Sequence, residues 1–350
     1  MDLDQILQIT IDKNASDLHL IPGYSPTIRV GGELHQLATL PILTEKASQD
    51  MFFSIINDEQ RENLIANREI DLGYDFNHNR FRINMYFAKG ALAAGFRLIP
   101  SSIKTLEQLA MPSFLHRCID IRQGLVLITG PTGEGKSTTL ASLINELNIT
   151  HSRHIITIED PIEYVYPKSK SIISQRQLHE DTHSWSISLK SALREDPDVI
   201  LVGEMRDYDT IQLVLTAAET GHLVFSTLHT NSTSEAIDRI IDIFPANQQN
   251  QIKNQLASVL RIVVTQRLLP SIVGLERIPA IEILVNNSAV SATIREGKTY
   301  LINNILETSE DEGMLLFEKS LLSLYRAGKI SKETAFTFAI RPKELEKFIR

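Results

Sequence analysis

At 350 residues, with 43% apolar and 22% charged side chains, the chain has the composition of an ordinary globular protein long enough for two or three domains. A net charge of −8, with no long block of Lys or Arg, argues against nucleic acid as a direct partner, because duplex binding draws on clustered cations. The lone cysteine, Cys118, excludes an internal disulfide and a cysteine-rich zinc site, and no apolar run is long enough to span a membrane.

In chain order, Met1 to Lys13 is acidic and amphipathic, with Leu3, Ile6, Leu7 and Ile11 on one helical face. It lacks the basic start and cleavage site of a signal peptide, which points by elimination to a cytoplasmic address. Ser16 to Pro22 reads as a strand, and Thr27–Val30 and Glu33–Gln36 flank Gly31-Gly32 as a two-residue hairpin. Thr44 caps a helix expected to run through Met51, Phe52, Ile55 and Ile56. Three strands follow, Ile70–Phe76, Arg80–Phe87 and Ala91–Leu98. In the second, Phe81, Ile83, Met85 and Phe87 alternate with Arg80, Arg82, Asn84 and Tyr86, a core face against an open face.

The predicted organisation is an α+β N-terminal domain over 1–100, a linker over 101–110, an α/β core over 111–290 and a helical C-terminal region over 291–350. In the core, strands at Gly124–Thr129, His154–Ile158, Val199–Val202 and Leu223–Ser226 alternate with helical stretches, the rhythm of a mostly parallel sheet. Near the C-terminus Phe317, Leu321 and Leu324 have helical spacing, Gly328 ends that helix and Ser331 caps the next.

The sharpest motif is Gly130-Pro131-Thr132-Gly133-Glu134-Gly135-Lys136-Ser137-Thr138, which contains G-x-x-x-x-G-K-S between an apolar strand and an amphipathic helix. The glycines let backbone N–H groups wrap a phosphate, and the next helix aims its positive end at the same place. Lys136 reaches the β and γ phosphates and Ser137 offers a hydroxyl to Mg²⁺, so ATP with Mg²⁺ is the expected ligand. Glu134 is expected to point outward. Val199–Glu204 is a buried strand ending in Glu204, placed to organise that metal, while Asp198 at its other end reads as structural. A second acidic cluster, Glu159-Asp160-Pro161-Ile162-Glu163, follows another strand; Glu163 is favoured for orienting the attacking water, with Glu204 second. Thr220–Thr230 delivers His229 to a strand's carboxyl end, where it could meet a γ-phosphate, and leaves His222 at the other end in a structural place.

These segments resemble the secretion ATPases of pili and of type II and type IV systems, and within them the type IV pilus retraction branch. The resemblance covers nearly the whole chain. It rests on Ala15-Ser-Asp-Leu-His-Leu20, Arg80-Phe-Arg-Ile-Asn84, the glycine-rich loop, Ile156–Glu163, Ala192–Asp198, Gly203-Glu-Met-Arg-Asp207, Ile237–Pro245 and Thr293–Thr299. It implies a PAS-like first domain, a RecA-like P-loop NTPase second, six subunits in a ring, and Arg82 and Arg97 as cations that approach the phosphates. It further implies an inner-membrane pilus platform as partner, the pilin fibre as indirect cargo, and work at the cytoplasmic face of the inner membrane. Related secretion, DNA-uptake and extension motors, and a nucleotide-regulated structural ring, are the alternatives. Glu134 departs from the family, which usually has a small residue there, and Ser291-Ala-Thr is a loose match to the start of the C-terminal motif.

Overall fold

The computed structural model describes residues 2–77, 79–99, 102–272 and 277–349. The chain divides into two compact units, Met1–Ser102 with Pro161–Val165, and Ile103–Asp160 with Tyr166–Arg350. Ser101, the first residue of the expected linker, lies outside the described residues.

In the first unit, α1 (Leu3–Asp12) starts where the Asp2 carboxylate accepts the Asp4 N–H, and it buries Leu3, Ile6 and Leu7. Strands β1 (Asp17–Leu20), β2 (Thr27–Val30) and β3 (Glu33–Gln36) follow. The β2–β3 turn needs positive φ at both central positions, and Gly31 and Gly32 supply +59° and +90°. Helix α2 (Glu45–Phe53) is capped by Thr44 and stops at Phe53, so Ile55 and Ile56 lie beyond it rather than within it. Helix α3 (Asp58–Asn67) is an addition to the expected elements. Only Leu64 is buried along it, so no apolar stripe betrays it, and its signal is the capping box of Asn57 and Gln60.

Strands β4 (Glu69–Phe76), β5 (Asn79–Ala88) and β6 (Ala91–Ile99) complete an antiparallel sheet of order β3-β2-β1-β6-β5-β4. On β5, Phe81, Ile83 and Met85 are buried as the alternation requires. Phe87, expected with them, is half-buried beneath the Arg68 guanidinium, 5.0 Å from its ring centroid. Phe96 packs between Phe52 and Phe81 at centroid distances of 6.3 and 6.4 Å. On the open face Arg82 lies directly opposite Arg97. Like charges so placed repel; Asp71, 3.7 Å from Arg82, and Asp17, 3.0 Å from Arg97, offset that repulsion.

The second unit contains α4 (Arg117–Asp120), β7 (Gly124–Thr129), α5 (Lys136–Thr150), β8 (His154–Glu159), β9 (Ile172–Gln177), α6 (Trp185–Ala192) and β10 (Val199–Val202). It continues with α7 (Tyr208–Glu219), β11 (Leu223–Leu228), α8 (Thr233–Asp242), α9 (Ala246–Val259), β12 (Leu260–Pro270) and β13 (Arg277–Val285). The C-terminal helices are α10 (Ser288–Glu296), α11 (Ile302–Thr308), α12 (Phe317–Arg326), α13 (Lys332–Phe338) and α14 (Pro342–Ile349). The sheet order is β13-β12-β7-β11-β10-β8-β9, parallel except for the β12–β13 pair.

Every residue of β7, β10 and β11 is buried, as expected of strands covered on both faces. Strands β9, β12 and β13 are additions to the four expected. β9 is an edge strand whose apolar signal is confined to Ile172 and Ile173, followed by Ser, Gln and Arg. In the β12–β13 hairpin, Pro270 and Pro279 break the strand pattern in sequence yet sit where an edge pairing tolerates them. Cys118 on α4 is buried, and burial pushes its thiol up to about 12. Among the described residues no helix is long and apolar enough to cross a membrane.

A buried ionic cluster ties the C-terminal helices to this sheet. Arg341, at the start of α14, donates to Glu282 on β13 at 3.1 Å and to Glu318 on α12 at 2.9 Å; both carboxylates are 0% exposed. Its guanidinium also reaches Asn303 of α11. Glu282 in turn accepts the Thr233 N–H and hydroxyl at 2.9 and 2.8 Å, which caps the first turn of α8.

Candidate active site

The loop between β7 and α5 begins where the chain must squeeze past β12. Gly130 has φ +145°, and a Cβ there would stand 2.4 Å from the Gln266 carbonyl oxygen, so no other residue fits. The loop ends at Gly135, also at positive φ, which leaves the N-terminus of α5 without a side-chain cap. Gly135 itself has no side chain to offer the first N–H groups of the helix, which suits a phosphate at a helix N-terminus.

Lys136, buried in the first turn, donates to the Gly130 and Pro131 carbonyl oxygens at 2.8 Å each. These contacts curl its ammonium over the loop that a phosphate would fill. The lysine, the uncapped helix start and the Ser137 hydroxyl are together a donor set suited to a nucleotide triphosphate with Mg²⁺.

Glu204 and His229 come to this loop from neighbouring strands. After β10, the Gly203 N–H donates to the Ile158 carbonyl at 2.8 Å and the Met205 N–H to the Thr227 carbonyl at 3.2 Å. The Thr227 hydroxyl pins the Gly203 carbonyl at 2.6 Å. With its turn held on both sides, Glu204 meets His229 at the end of β11, Oε2 to Nε2 3.4 Å, and Arg206 at 2.6 Å. The other imidazole nitrogen of His229, Nδ1, lies 3.3 Å from the Thr132 hydroxyl. Thr132, His229 and Glu204 thus form one polar chain from the glycine-rich loop to the strand-end carboxylate.

The other expected residues fall as follows. Glu159 is engaged locally, accepting from the Thr157 hydroxyl at 2.6 Å and from Gln175 at 3.3 Å. Glu163 belongs to Pro161–Val165, the short stretch grouped with the first unit, as are Arg82 and Arg97. Asp198 accepts the His154 N–H at 2.8 Å and His222 bonds the Ala217 carbonyl at 2.9 Å, both structural roles. Glu134 does not point outward. Its carboxylate turns back to accept the Leu268 N–H of β12, a strand that runs beside the loop but is far from it in sequence.

The linker-side wall of the site was not legible in sequence. A cleft of about 710 Å³ adjoins Gly135, Thr138 and Thr139, bounded by 104–111, by Gln266 and Leu268, by 277–279 and by 327–329. Segment 104–111 is clipped to α5 through His116, whose Nδ1 lies 2.5 Å from Glu146 and whose Nε2 lies 2.8 Å from Glu107. Two carboxylates on one ring favour the doubly protonated imidazolium; the Glu146 hydrogen bond leads in holding the His116 pKa above the usual histidine range. A pKa raised on folding stabilises fully below the unfolded value near ~6.5 and fades as pH climbs through the folded value. A His116→Gln variant should therefore melt below the parent at pH 6, and the difference should narrow by pH 9 in thermal unfolding.

The family model described as type II/IV secretion system protein matches residues 1–343. The chain is 44% identical to the type IV pilus retraction ATPase PilT of Pseudomonas aeruginosa over 336 residues, covering 96% of this chain and 97% of that one. It is 47% identical to a twitching motility protein of Neisseria gonorrhoeae over 312 residues, 89% of this chain and 83% of that one. A crystal structure of the pilus retraction motor PilT with bound ADP superimposes with a TM-score of 0.92 at 42% identity, covering 99% of both chains.

Proposed function

The chain belongs to the type II/IV secretion system protein family, and on that premise we propose that it is the ATP-driven motor of type IV pilus retraction. It is an ATPase. The observation that carries the reading is the Thr132–His229–Glu204 chain, which links the phosphate loop to a strand-end carboxylate. Residues Gly130 to Thr138 cradle the phosphates and Lys136 reaches the β and γ groups; Ser137 and Glu204 would hold Mg²⁺, which would supply positive charge against the phosphoryl oxygens. His229, bonded on both sides, responds to loss of the γ-phosphate. Glu163 orients the attacking water, and Arg82 and Arg97 supply the cations that phosphoryl transfer calls for. The nucleoside occupies the cleft beside Thr138 and Thr139.

In this reading the first unit is PAS-like, the second RecA-like, and six copies form a ring. The ring works at the cytoplasmic face of the inner membrane against a pilus platform protein, so that the pilin fibre is its indirect load. The assignments of Glu163 and Glu204 separate in kinetics. Glu204→Gln should raise the Mg²⁺ concentration for half-maximal turnover several-fold, whereas Glu163→Gln should lower kcat with that concentration unchanged. The function is tested in cells that lack their retraction motor and carry surplus surface pili. Expression of this chain should restore twitching and clear the pili. An enzyme active in phosphate release that restores neither would assign the motor to another cargo.

A further inference from the structure

Strand β7 ends at Thr129, paired with Thr265 of β12, but β12 runs on to Pro270. Beyond Thr265 the side of β12 that faced β7 has lost its partner strand, and backbone N–H groups there need another acceptor. The glycine-rich loop takes the place of the missing strand. The Glu134 carboxylate accepts the Leu268 N–H, and the Glu134 carbonyl accepts from the Gln266 side-chain amide. The same amide group accepts the Thr139 hydroxyl at 2.8 Å, so Gln266 joins the loop tip to the second turn of α5. Arg277 of β13 donates to the Gly133 carbonyl at 3.2 Å. With Gly130 pressed against the Gln266 carbonyl, the loop is fixed to the β12–β13 hairpin at its start and at its tip.

We propose that Glu134 is a positioning residue, whose carboxylate caps the overhanging edge of β12 and thereby fixes the phosphate loop in its receiving shape. The proposal rests on the nucleotide reading of the loop and adds a role to a residue whose charge argues the other way. An anion beside a triphosphate repels it, so Glu134 is tolerable only if its bond to Leu268 gains more in loop order than the repulsion loses. A serine at this position is too short to make that bond.

Two neutral replacements separate these effects. Glu134→Gln and Glu134→Ser both remove the charge, but only glutamine retains an acceptor of the right length. The ratio of their KM values for MgATP therefore isolates the hydrogen bond from the repulsion. KM of Glu134→Ser should exceed that of Glu134→Gln by about three- to tenfold, the range of one net hydrogen bond, with kcat alike in the two. Titration with ADP should give the same ratio in Kd. Equal KM values in the two variants, or a lower value for serine, would overturn the proposal. Should the serine variant not fold, Glu134→Ala is read by the same ratio. A parent protein that hydrolyses no MgATP would instead sink the nucleotide reading itself, so the two failures are distinguishable.

Discussion

Replacing Lys136 with alanine should abolish turnover, with phosphate release falling by at least ~10²–10³-fold, the scale on which one stabilising donor acts in a transition state. The ammonium already sits over the loop, 2.8 Å from the Gly130 and Pro131 carbonyls. A triphosphate would draw it away from those oxygens and onto its own, where the charge that develops during transfer makes the contact stronger. The substitution should leave the fold intact, because alanine is a better helix former than lysine at the start of α5. The check is steady-state phosphate release beside a thermal melt: activity is lost while the unfolding temperature stays near that of the parent. Residual turnover above a tenth of the parent rate would mean that Lys136 does not bear on the reacting phosphates.

The largest effect on stability should come from Arg341→Ala. Glu282 and Glu318 are both fully buried and share this one guanidinium. Burial by itself would lower the Arg341 pKa, but attraction to the two carboxylates outweighs it and raises the value. The N-terminus of α8 also serves Glu282, through the Thr233 N–H and hydroxyl that both donate to it. Without Arg341, two carboxylates are left in the interior with no cation, a loss of about 3–5 kcal/mol. That corresponds to a drop in unfolding temperature on the order of 10 °C in calorimetry. Adding Glu318→Gln to the same variant removes one of the stranded charges and should recover part of the drop. No recovery would show that the arginine acts through its packing and not through its charge.

The sequence showed its local rules most plainly where one short signal decides an element. The alternation on β5 placed Phe81, Ile83 and Met85 in the core, Gly31-Gly32 set the β2–β3 turn, and Thr44 and Ser331 capped the helices expected of them. The glycine-rich loop and the strand-end position of Glu204 were equally legible, because each is written in contiguous residues. What the sequence hid is what needs two distant segments at once. The β12–β13 hairpin, the clip through His116, the cleft wall at 327–329 and the turn of Glu134 toward Leu268 each depend on residues that are not contiguous with them in the chain. Nothing in the spelling of the loop says that an overhanging strand edge waits beside it. The Arg341 cluster is the same kind of case, since its three members are separate in sequence and individually look like surface charges.

The buried thiol of Cys118 has a practical consequence. A sulfhydryl that is fully enclosed and titrates near 12 is inert toward maleimides at neutral pH. Dyes attached to cysteines introduced at the exposed positions Leu34, in the first unit, and Ile149, in the second, would label those sites alone, with no native residue to remove beforehand. Energy transfer between the two fluorophores could then be read with and without MgATP while Cys118 stays in place.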